Sequence, residues 1–322
     1  MQVKNSTAGK AKVITRLRKN AACYLGLLPF FILLCAFVFF PMLQGMWRSL
    51  TDWSMDVRSG IHFIGLQNYA DIFDGESNTS IRYLKSLKNL LVYVPTTIVI
   101  GLFISLALAL IVNQFSRKEM RKFSFFRGVY YVPTVLPLFL CTGMWCMFMA
   151  SDAGIFSSAL NALGLFQGAS WTTDPGYSMA LVIIIDIWNA VGFNFLIFSA
   201  GMQDIPQELY EASYIDGASV FQQMRKITLP LLEPILFFVI TNSFISALQV
   251  YDIPWIITSK SDINSTGGPG QVILFPVMEM VRNIYAGMNN GLGRACAEGV
   301  ILTGIIIAIT LILFRIRKRH SD

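Results

Sequence analysis

The sequence predicts an all-α membrane protein with six transmembrane helices, on the strength of three observations. Hydrophobic residues fill 54% of the 322 positions and charged residues 14%, with a mean hydropathy of +0.57, too apolar for a soluble chain of this length. Six apolar runs of 20 or more residues are separated by polar stretches. The basic residues concentrate in alternate connections between those runs.

Taken in order, Lys4, Lys10, Lys12, Arg16, Arg18 and Lys19 precede the first run, from Ala22 to about Leu43. That run is too long for the apolar region of a signal peptide, and no small-residue cleavage site follows it, so it reads as an uncleaved span. At ~1.5 Å per residue it reaches across a ~30 Å hydrocarbon core. A loop from Gln44 to Lys88 follows, with Trp47 and Trp53 near its start as interfacial aromatics. The second run covers Asn89–Val112, where Gly101, Ser105 and Ala109 lie four apart, a small-residue stripe that lets another helix approach closely. The third, Gly128–Ala150, carries Pro133 and Pro137 near its start. The fourth, fifth and sixth cover about Ser178–Met202, Leu231–Ile257 and Ala295–Phe314. The expected division is a tail at 1–21, a first transmembrane helix at 22–44, an extracytoplasmic loop at 45–88, a five-helix body at 89–315 and a tail at 316–322.

Six spans put both termini on one side. The N-terminal tail, the loop Asn113–Arg127, the loop after the fourth run and the C-terminal tail together hold 17 Lys and Arg, while the other three loops hold 8 over a greater length. The positive-inside bias therefore places both termini, and the loop between runs four and five, in the cytoplasm.

That loop, 204–230, is the chain's most informative stretch. It lies between two apolar runs yet holds Glu208, Glu211, Asp216, Arg225 and Lys226. Pro206 suits the first position of a short helix, with Glu208 and Glu211 near the positive end of its dipole. Gly217 ends that helix, because a left-handed residue is cheapest without a Cβ. Ser219 caps a second helix in which Val220, Phe221, Met224 and Ile227 recur at helical spacing, and Pro230 starts the next membrane segment. The expected shape is a helix–turn–helix hammock that suits docking to a soluble partner.

As a pattern, the stretch is Glu211-Ala212-Ser213, three residues, Gly217, nine residues, Ile227, one residue, Leu229-Pro230. This resembles the cytoplasmic coupling loop of permease subunits in binding-protein-dependent ABC importers, with Ser213 where the family has a second Ala. IGLQNY at Ile64–Tyr69, FRGVYYVP at Phe126–Pro133, IDGAS at Ile215–Ser219, Tyr251-Asp252 and TGGPG at Thr266–Gly270 are similar to the carbohydrate branch, the maltose and glycerol-phosphate type. The resemblance spans roughly residues 60–315. It implies a type I ABC importer permease fold in which Glu211, Ala212, Ser213, Asp216 and Gly217 contact an ATPase. It also implies a second, similar permease, two ATPase subunits that bind ATP and Mg, and an extracytoplasmic binding protein in the plasma membrane of a prokaryote. The solute would be a sugar or oligosaccharide, a glycerol phosphate or a polyol.

Polar groups inside the runs mark a possible pathway, since they are costly in lipid unless they face a bundle interior. Asp186 and Asn189, three apart, share a face of the fourth run, and Asn194 does not share it. Asn242, Ser246 and Gln249 align at i, i+4 and i+7 in the fifth, with Tyr251 and Asp252 toward its outer end. Asn189 and Asn242 each lie ~16 Å from a span end, near the midplane. Amides and hydroxyls beside an aromatic suit a sugar. Interhelical hydrogen bonding that only holds the bundle is the competing reading. The external segment Thr258–Arg294 contains an apolar part too short to span and broken by Pro276, which fits an interfacial or loop-packed helix.

Absences bound the chemistry. No G-x-x-x-x-G-K-[ST] occurs, so this chain does not cradle ATP in the P-loop way. His62 and His320 have no ligands at metal spacing, the five cysteines form no C-x-x-C pair, and no nucleophile triad pattern is present. The basic tail cluster beside a span anchors topology on anionic lipid headgroups and is not a nucleic-acid patch. Two other classes remain open: a secondary transporter, which would need coupling carboxylates at the midplane beyond Asp186, and an intramembrane enzyme, which would need a catalytic cluster.

The topology is testable. A cysteine at Gln114 or Gln207 should react with a membrane-impermeant maleimide only from the cytoplasmic side, and one at Ser170 only from outside. Labelling of the Ser170 site from the cytoplasm would overturn both span count and orientation.

Overall fold

Long apolar helices arranged around two buried clusters make up the molecule, with polar connections gathered at the two ends. The computed structural model describes residues 21–56, 58, 60–116, 120–150, 154–164, 170–258, 266–285 and 291–321. Five helices are long and apolar enough to cross a membrane: Leu25–Arg48, Asn78–Asn113, Pro175–Gln203, Glu233–Thr258 and Gly291–Lys318. A bent pair, Gly128–Val135 with Leu138–Phe148, makes a sixth if it counts as one span.

Helix α1 (Ala21–Leu34) passes through a π-helical segment (Cys35–Phe39) into α2 (Phe40–Arg48). Trp47 is therefore part of the first helix and not of the loop expected from Gln44 onward; it stacks on Phe63 at 5.7 Å. None of the most apolar stretch of this rod is buried within the chain. In the following connection Asp52 accepts from the His62 backbone N–H at 2.6 Å and from its ring at 2.9 Å, and these contacts hold the Asp52 carboxyl below the usual range.

After α3 (Gln67–Phe73), α4 (Asn78–Ser116) runs for 39 residues and starts three turns before the expected Asn89. Hydropathy misses these turns because their buried face is polar: Ser80, Arg82, Tyr83 and Ser86 are all packed away from solvent. Arg82 Nε lies 2.9 Å from Glu279 Oε2, and its Nη2 donates to Thr266 Oγ1 at 3.0 Å. Glu279 also pairs with Arg282 at 2.9 Å. Both arginines and Glu279 belong to a polar clamp that ties α4 to the Thr266–Gln271 turn, to α14 (Pro276–Tyr285) and to α15 (Gly291–Ser321). Asn283 donates to the fully buried Glu298 at 2.8 Å, and Tyr83 Oη donates to the Glu298 carbonyl at 3.1 Å. Helix α14 is the loop-packed helix expected after Pro276. Helix α15 starts at Gly291, before the expected Ala295.

The third apolar run is not one straight span. Helix α5 (Met120–Val135) and α6 (Leu138–Phe148) meet at a 99° bend. Pro137 biases Leu136 away from the helical region and has no N–H to continue the ladder. A short α7 (Ile155–Ala162) leads toward α8 (Pro175–Gln203), capped by Asp174, whose side chain accepts from Gly176 N at 2.9 Å. The hammock comprises α9 (Gln207–Ile215), α10 (Val220–Gln223), a π segment (Met224–Thr228) and α11 (Leu229–Leu231). The fifth apolar run is also interrupted. Helix α12 (Glu233–Leu248) ends before Gln249, and a separate α13 (Asp252–Thr258) follows. Pro254 lacks the N–H that a continuous helix would donate to the Val250 carbonyl.

Two buried apolar clusters organise this arrangement. One, at the end away from the hammock, includes Tyr93, Val94, Leu181, Ile185, Ala247 and Phe275. The other, beside the hammock, includes Ala109, Val112, Phe195, Phe198, Met202, Tyr210 and Val239. The stripe Gly101–Ser105–Ala109 is buried, consistent with the close packing of α4 on α8 that small residues permit.

Replacing Glu279 by Ala leaves two arginines without their carboxylate, and losing one partner of a buried ion pair costs about 3–5 kcal/mol. The variant should melt well below the parent in detergent. Arg82→Ala should do the same, and the double variant should lose less than the sum, because the two share one interaction.

Candidate functional site

Between the two clusters lies a cavity of about 230 Å³. The helices that line it change from one cluster to the other at this level. On α8, Ile185 belongs to the first cluster and Phe195 to the second, with Asp186, Asn189 and Asn194 between them. On α12, Val239 and Ala247 bracket Asn242, Ser243 and Ser246 in the same way. Thr97 and Gly101 of α4, and Thr134 and Leu138 from either side of the proline break, complete the wall.

Asp186, Asn189, Asn194, Asn242 and Ser246, all singled out in the sequence, are thus brought together. Asn194, off the Asp186–Asn189 face by spacing, also lines the cavity and is 4% exposed. Gln249, Tyr251 and Asp252 are not brought to this cavity. The expected i+7 register of Gln249 fails because α12 ends at Leu248, and Gln249 lines a separate crevice against Met42 and Met46 of α2. Tyr251 stacks on Trp255 with ring centroids 5.3 Å apart, and Asp252 opens α13 in an exposed position. Sequence reasoning missed Thr97, Thr134 and Ser243. Thr97 could have been found, since it precedes Gly101 by four on the stripe already noted.

The local chemistry of the wall follows from the break. A continuous helix would send the residue-137 N–H to the Pro133 carbonyl, and proline has none. Asn189 Nδ2 donates to that carbonyl instead, at 3.0 Å, and Thr134 Oγ1 donates back to the Asn189 carbonyl at 3.0 Å. Gly192 allows this approach: a Cβ there would meet Tyr130 O at 2.5 Å and Thr134 Oγ1 at 2.6 Å. Asn189 is therefore a structural latch as well as a lining residue. The Tyr93 hydroxyl of α4 lies beside the Asp186 carboxyl.

The hammock forms the second candidate site. Pro206 is the N-cap of α9 and not its first residue, with φ −57° and ψ 131°. Gly217 adopts φ +74°, and the turn closes with Ala218 N donating to Ser213 O at 2.9 Å and Gly217 N to Tyr214 O at 3.0 Å, a Schellman arrangement. Ser219 caps α10 in a reciprocal box with Gln222. Tyr210 Oη and Thr228 Oγ1, 2.9 Å apart, lock the two limbs together. Glu211, Ala212, Asp216 and Gly217 are exposed, and Ser213 is half-buried with its hydroxyl donating to Tyr210 O at 2.8 Å. Tyr214, Ile215, Val220 and Phe221 are also exposed, which gives the hammock an uncovered apolar surface around the Gly217 turn.

The sequence matches, over residues 22–321, the family described as binding-protein-dependent transport system inner membrane component. The chain belongs to this family. The permease is 32% identical over 287 residues to a probable ABC transporter permease protein of Pyrococcus horikoshii, covering 88% of this chain and 91% of that protein. It is 27% identical over 299 residues to the trehalose/maltose transport system permease of Thermococcus litoralis, covering 93% and 94%. Its fold matches a bacterial ABC transporter involved in import of the acidic polysaccharide alginate, with TM-score 0.75, 21% identity, 97% of this chain and 100% of that one. A second structure of the alginate transporter, with TM-score 0.74, 22% identity, 96% of this chain and 98% of that one, is in complex with an alginate pentasaccharide-bound periplasmic protein. The permease is thus a transport subunit with a type I ABC importer permease fold, and not a catalytic one.

The latch and the lining can be separated by mutation. Asn189→Leu removes the donor to the Pro133 carbonyl, and an unsatisfied buried acceptor costs about 1–3 kcal/mol. Asn242→Leu breaks no such bond and should change stability by no more than about 0.5 kcal/mol. Thermal unfolding of the two variants side by side checks this.

Proposed function

We propose that this permease forms half of the translocation pathway of an ATP-driven importer for a sugar-like solute, with the cavity between α4, α8 and α12 as its share of that pathway. The observation that carries the reading is the cavity's position: hydroxyls, amides and one carboxylate gathered between two apolar clusters, where a polyhydroxylated solute finds donors and acceptors. The relatives support the solute class without fixing it, since one is named for trehalose and maltose and another for an acidic polysaccharide. Glycerol phosphates and polyols belong to the same proposal.

The partners follow from the surfaces. A second, similar permease would cover the uncovered first helix and the open side of the cavity, where Asn242 and Ser246 are exposed. Two ATPase subunits would bind ATP and Mg and dock on the hammock through Glu211, Ala212, Ser213, Asp216 and Gly217. An extracytoplasmic binding protein would deliver the solute at the opposite end, where the polar clamp lies, and the complex with a periplasmic protein in the alginate transporter supports that arrangement. Both termini would then lie in the cytoplasm.

The hammock is stiff for its size, because the Gly217 turn, the Ser219 box and the Tyr210–Thr228 contact leave few free torsions. Stiffness is what force transmission from an ATPase requires. Gly217→Val forces a β-branched residue to φ near +74°, a strain of about 1–3 kcal/mol. Glu211→Lys reverses an exposed charge suited to charge-assisted hydrogen bonds. Either variant should uncouple ATP hydrolysis from uptake or release the ATPase while the membrane part stays folded. Asn242→Leu should lower uptake with the ATPase retained. Normal uptake with a normally bound ATPase in both hammock variants would sink the coupling role.

A further inference from the structure

A crevice of about 720 Å³ separates the end of the first helix from the helices behind it. Met42, Gly45 and Met46 of α2 form one wall; Met280 of α14 and the stretch of α15 from Cys296 to Ile307 form the other. Apart from Gln249, Thr303 and the Cys296 thiol, the lining is apolar. Both walls face open space, since a Cβ on Gly45 or on Gly304 would meet nothing within 4 Å. Small residues in a span let another group approach closely, and here the chain itself does not fill the gap. The length of the crevice is informative. From Cys296 to Ile307 a helix rises ~16 Å, about half of a ~30 Å hydrocarbon core. That is the depth of one leaflet, the one away from the hammock, whereas a groove for a spanning helix would continue through the whole core.

At the outer end of this crevice stands an uncommitted cation. Pro41, Gly45 and Arg48 recur at i, i+4 and i+7, so the half-buried Arg48 continues the α2 wall by one turn. Its guanidinium lies over the Trp53 ring, 4.8 Å from the centroid, and close enough to Cys296 on the opposite wall to act on it electrostatically. Trp47 and Trp53 on either side of it are residues of the headgroup level. Among the described residues Arg48 enters no ion pair, and its buried Nε has no hydrogen-bond partner. The other arginines packed at this end, Arg82, Arg282 and Arg294, each hold a carboxylate. We infer that the crevice is a phospholipid site, with one acyl chain lying between α2 and α15 and the lipid phosphate paired with the Arg48 guanidinium. A guanidinium matches phosphate oxygens bidentately, and the Trp53 ring holds this one in place. The bound lipid then bridges the first helix, little covered by the rest of the chain, to α15. The outer faces of that helix stay available to the proposed second permease.

The test uses the full-length permease, in the assembly with which it purifies, in nanodiscs of phosphatidylglycerol and phosphatidylcholine. Two photoreactive probes with the same diazirine-bearing acyl chains are compared: a phosphatidylglycerol, and a diacylglycerol that lacks the phosphate. Cross-linked peptides are read by mass spectrometry. Labelling of residues 296–307 is expressed relative to that of the uncovered stretch 25–34, which reports bulk lipid. In the parent, the phosphatidylglycerol probe should label 296–307 about fivefold more than the diacylglycerol probe, the factor expected for one basic residue near the surface. Arg48→Gln should bring the two probes level. Gly304→Leu, which fills open space without meeting a neighbour, should lower labelling by both probes severalfold. Equal labelling by the two probes in the parent overturns the phosphate pairing and needs no variant to fold; a preference that survives Arg48→Gln overturns the assignment to that residue. Labelling that Gly304→Leu leaves untouched, or a parent in which 296–307 cross-links to another subunit and not to lipid, overturns the lipid site. None of these outcomes bears on the solute pathway, so the two readings fail separately.

Discussion

The N–H that Pro137 lacks sets the geometry of the polar centre. Inside a bilayer a freed backbone carbonyl finds no water, so a broken helix persists only where another group satisfies it. Here the amide of Asn189 does so, and it reaches the Pro133 carbonyl only because Gly192 lets α5 and α8 touch. The 99° bend at Pro137 frees that carbonyl, the Asn189 bond satisfies it, and Thr134 and Leu138, on either side of the break, line the cavity. A polar side chain in the middle of a span thus serves the backbone first, and the oxygen left over is what the cavity receives.

The same helices that line the cavity carry the hammock. Helix α8 ends at Gln203 and α9 begins at Gln207; α11 ends at Leu231 and α12 begins at Glu233. The cluster joining Phe198, Met202, Tyr210 and Leu232 packs the hammock onto both helices. Interiors packed in this way transmit displacement and do not absorb it. In the proposed coupling, a shift of the hammock would therefore move Asp186–Asn194 and Asn242–Ser246 together relative to α4. At the far end the Arg82–Glu279–Arg282 clamp fixes α4 to α14 and the Thr266–Gln271 turn, so motion there would involve a different rigid unit.

Much of this was legible in the residues. Apolar runs located the helices because the bilayer demands length and hydrophobicity together. Gly217 and Ser219 located the hammock turn because left-handed and capping positions accept few residue types. What was not legible shares one cause: the deciding interactions are long-range or polar. The three added turns of α4 bury Arg82, which is apolar in no scale and stable only against Glu279, 197 positions away. The break of α12 displaced Gln249 from its expected face, and a helical wheel assumes that no such break exists. Pro133 and Pro137 were visible, but which of them would break the helix depended on Asn189, the partner that satisfies the carbonyl.

Two uncovered surfaces of the chain differ in what they demand. The first helix is apolar all round with its central stretch uncovered, and lipid alone satisfies such a rod. Asn242 and Ser246 are exposed too, but an amide and a hydroxyl at mid-bundle depth against hydrocarbon are costly. Water in a closed pathway, or another polar surface, is needed on that side. The polar face of α12 therefore favours the second subunit of the proposed importer more strongly than the larger apolar surface of α1 does. A lone chain in lipid would leave the cavity open to acyl chains beside Asp186, and a like half placed across it removes that cost while enclosing a volume in which a solute can be held.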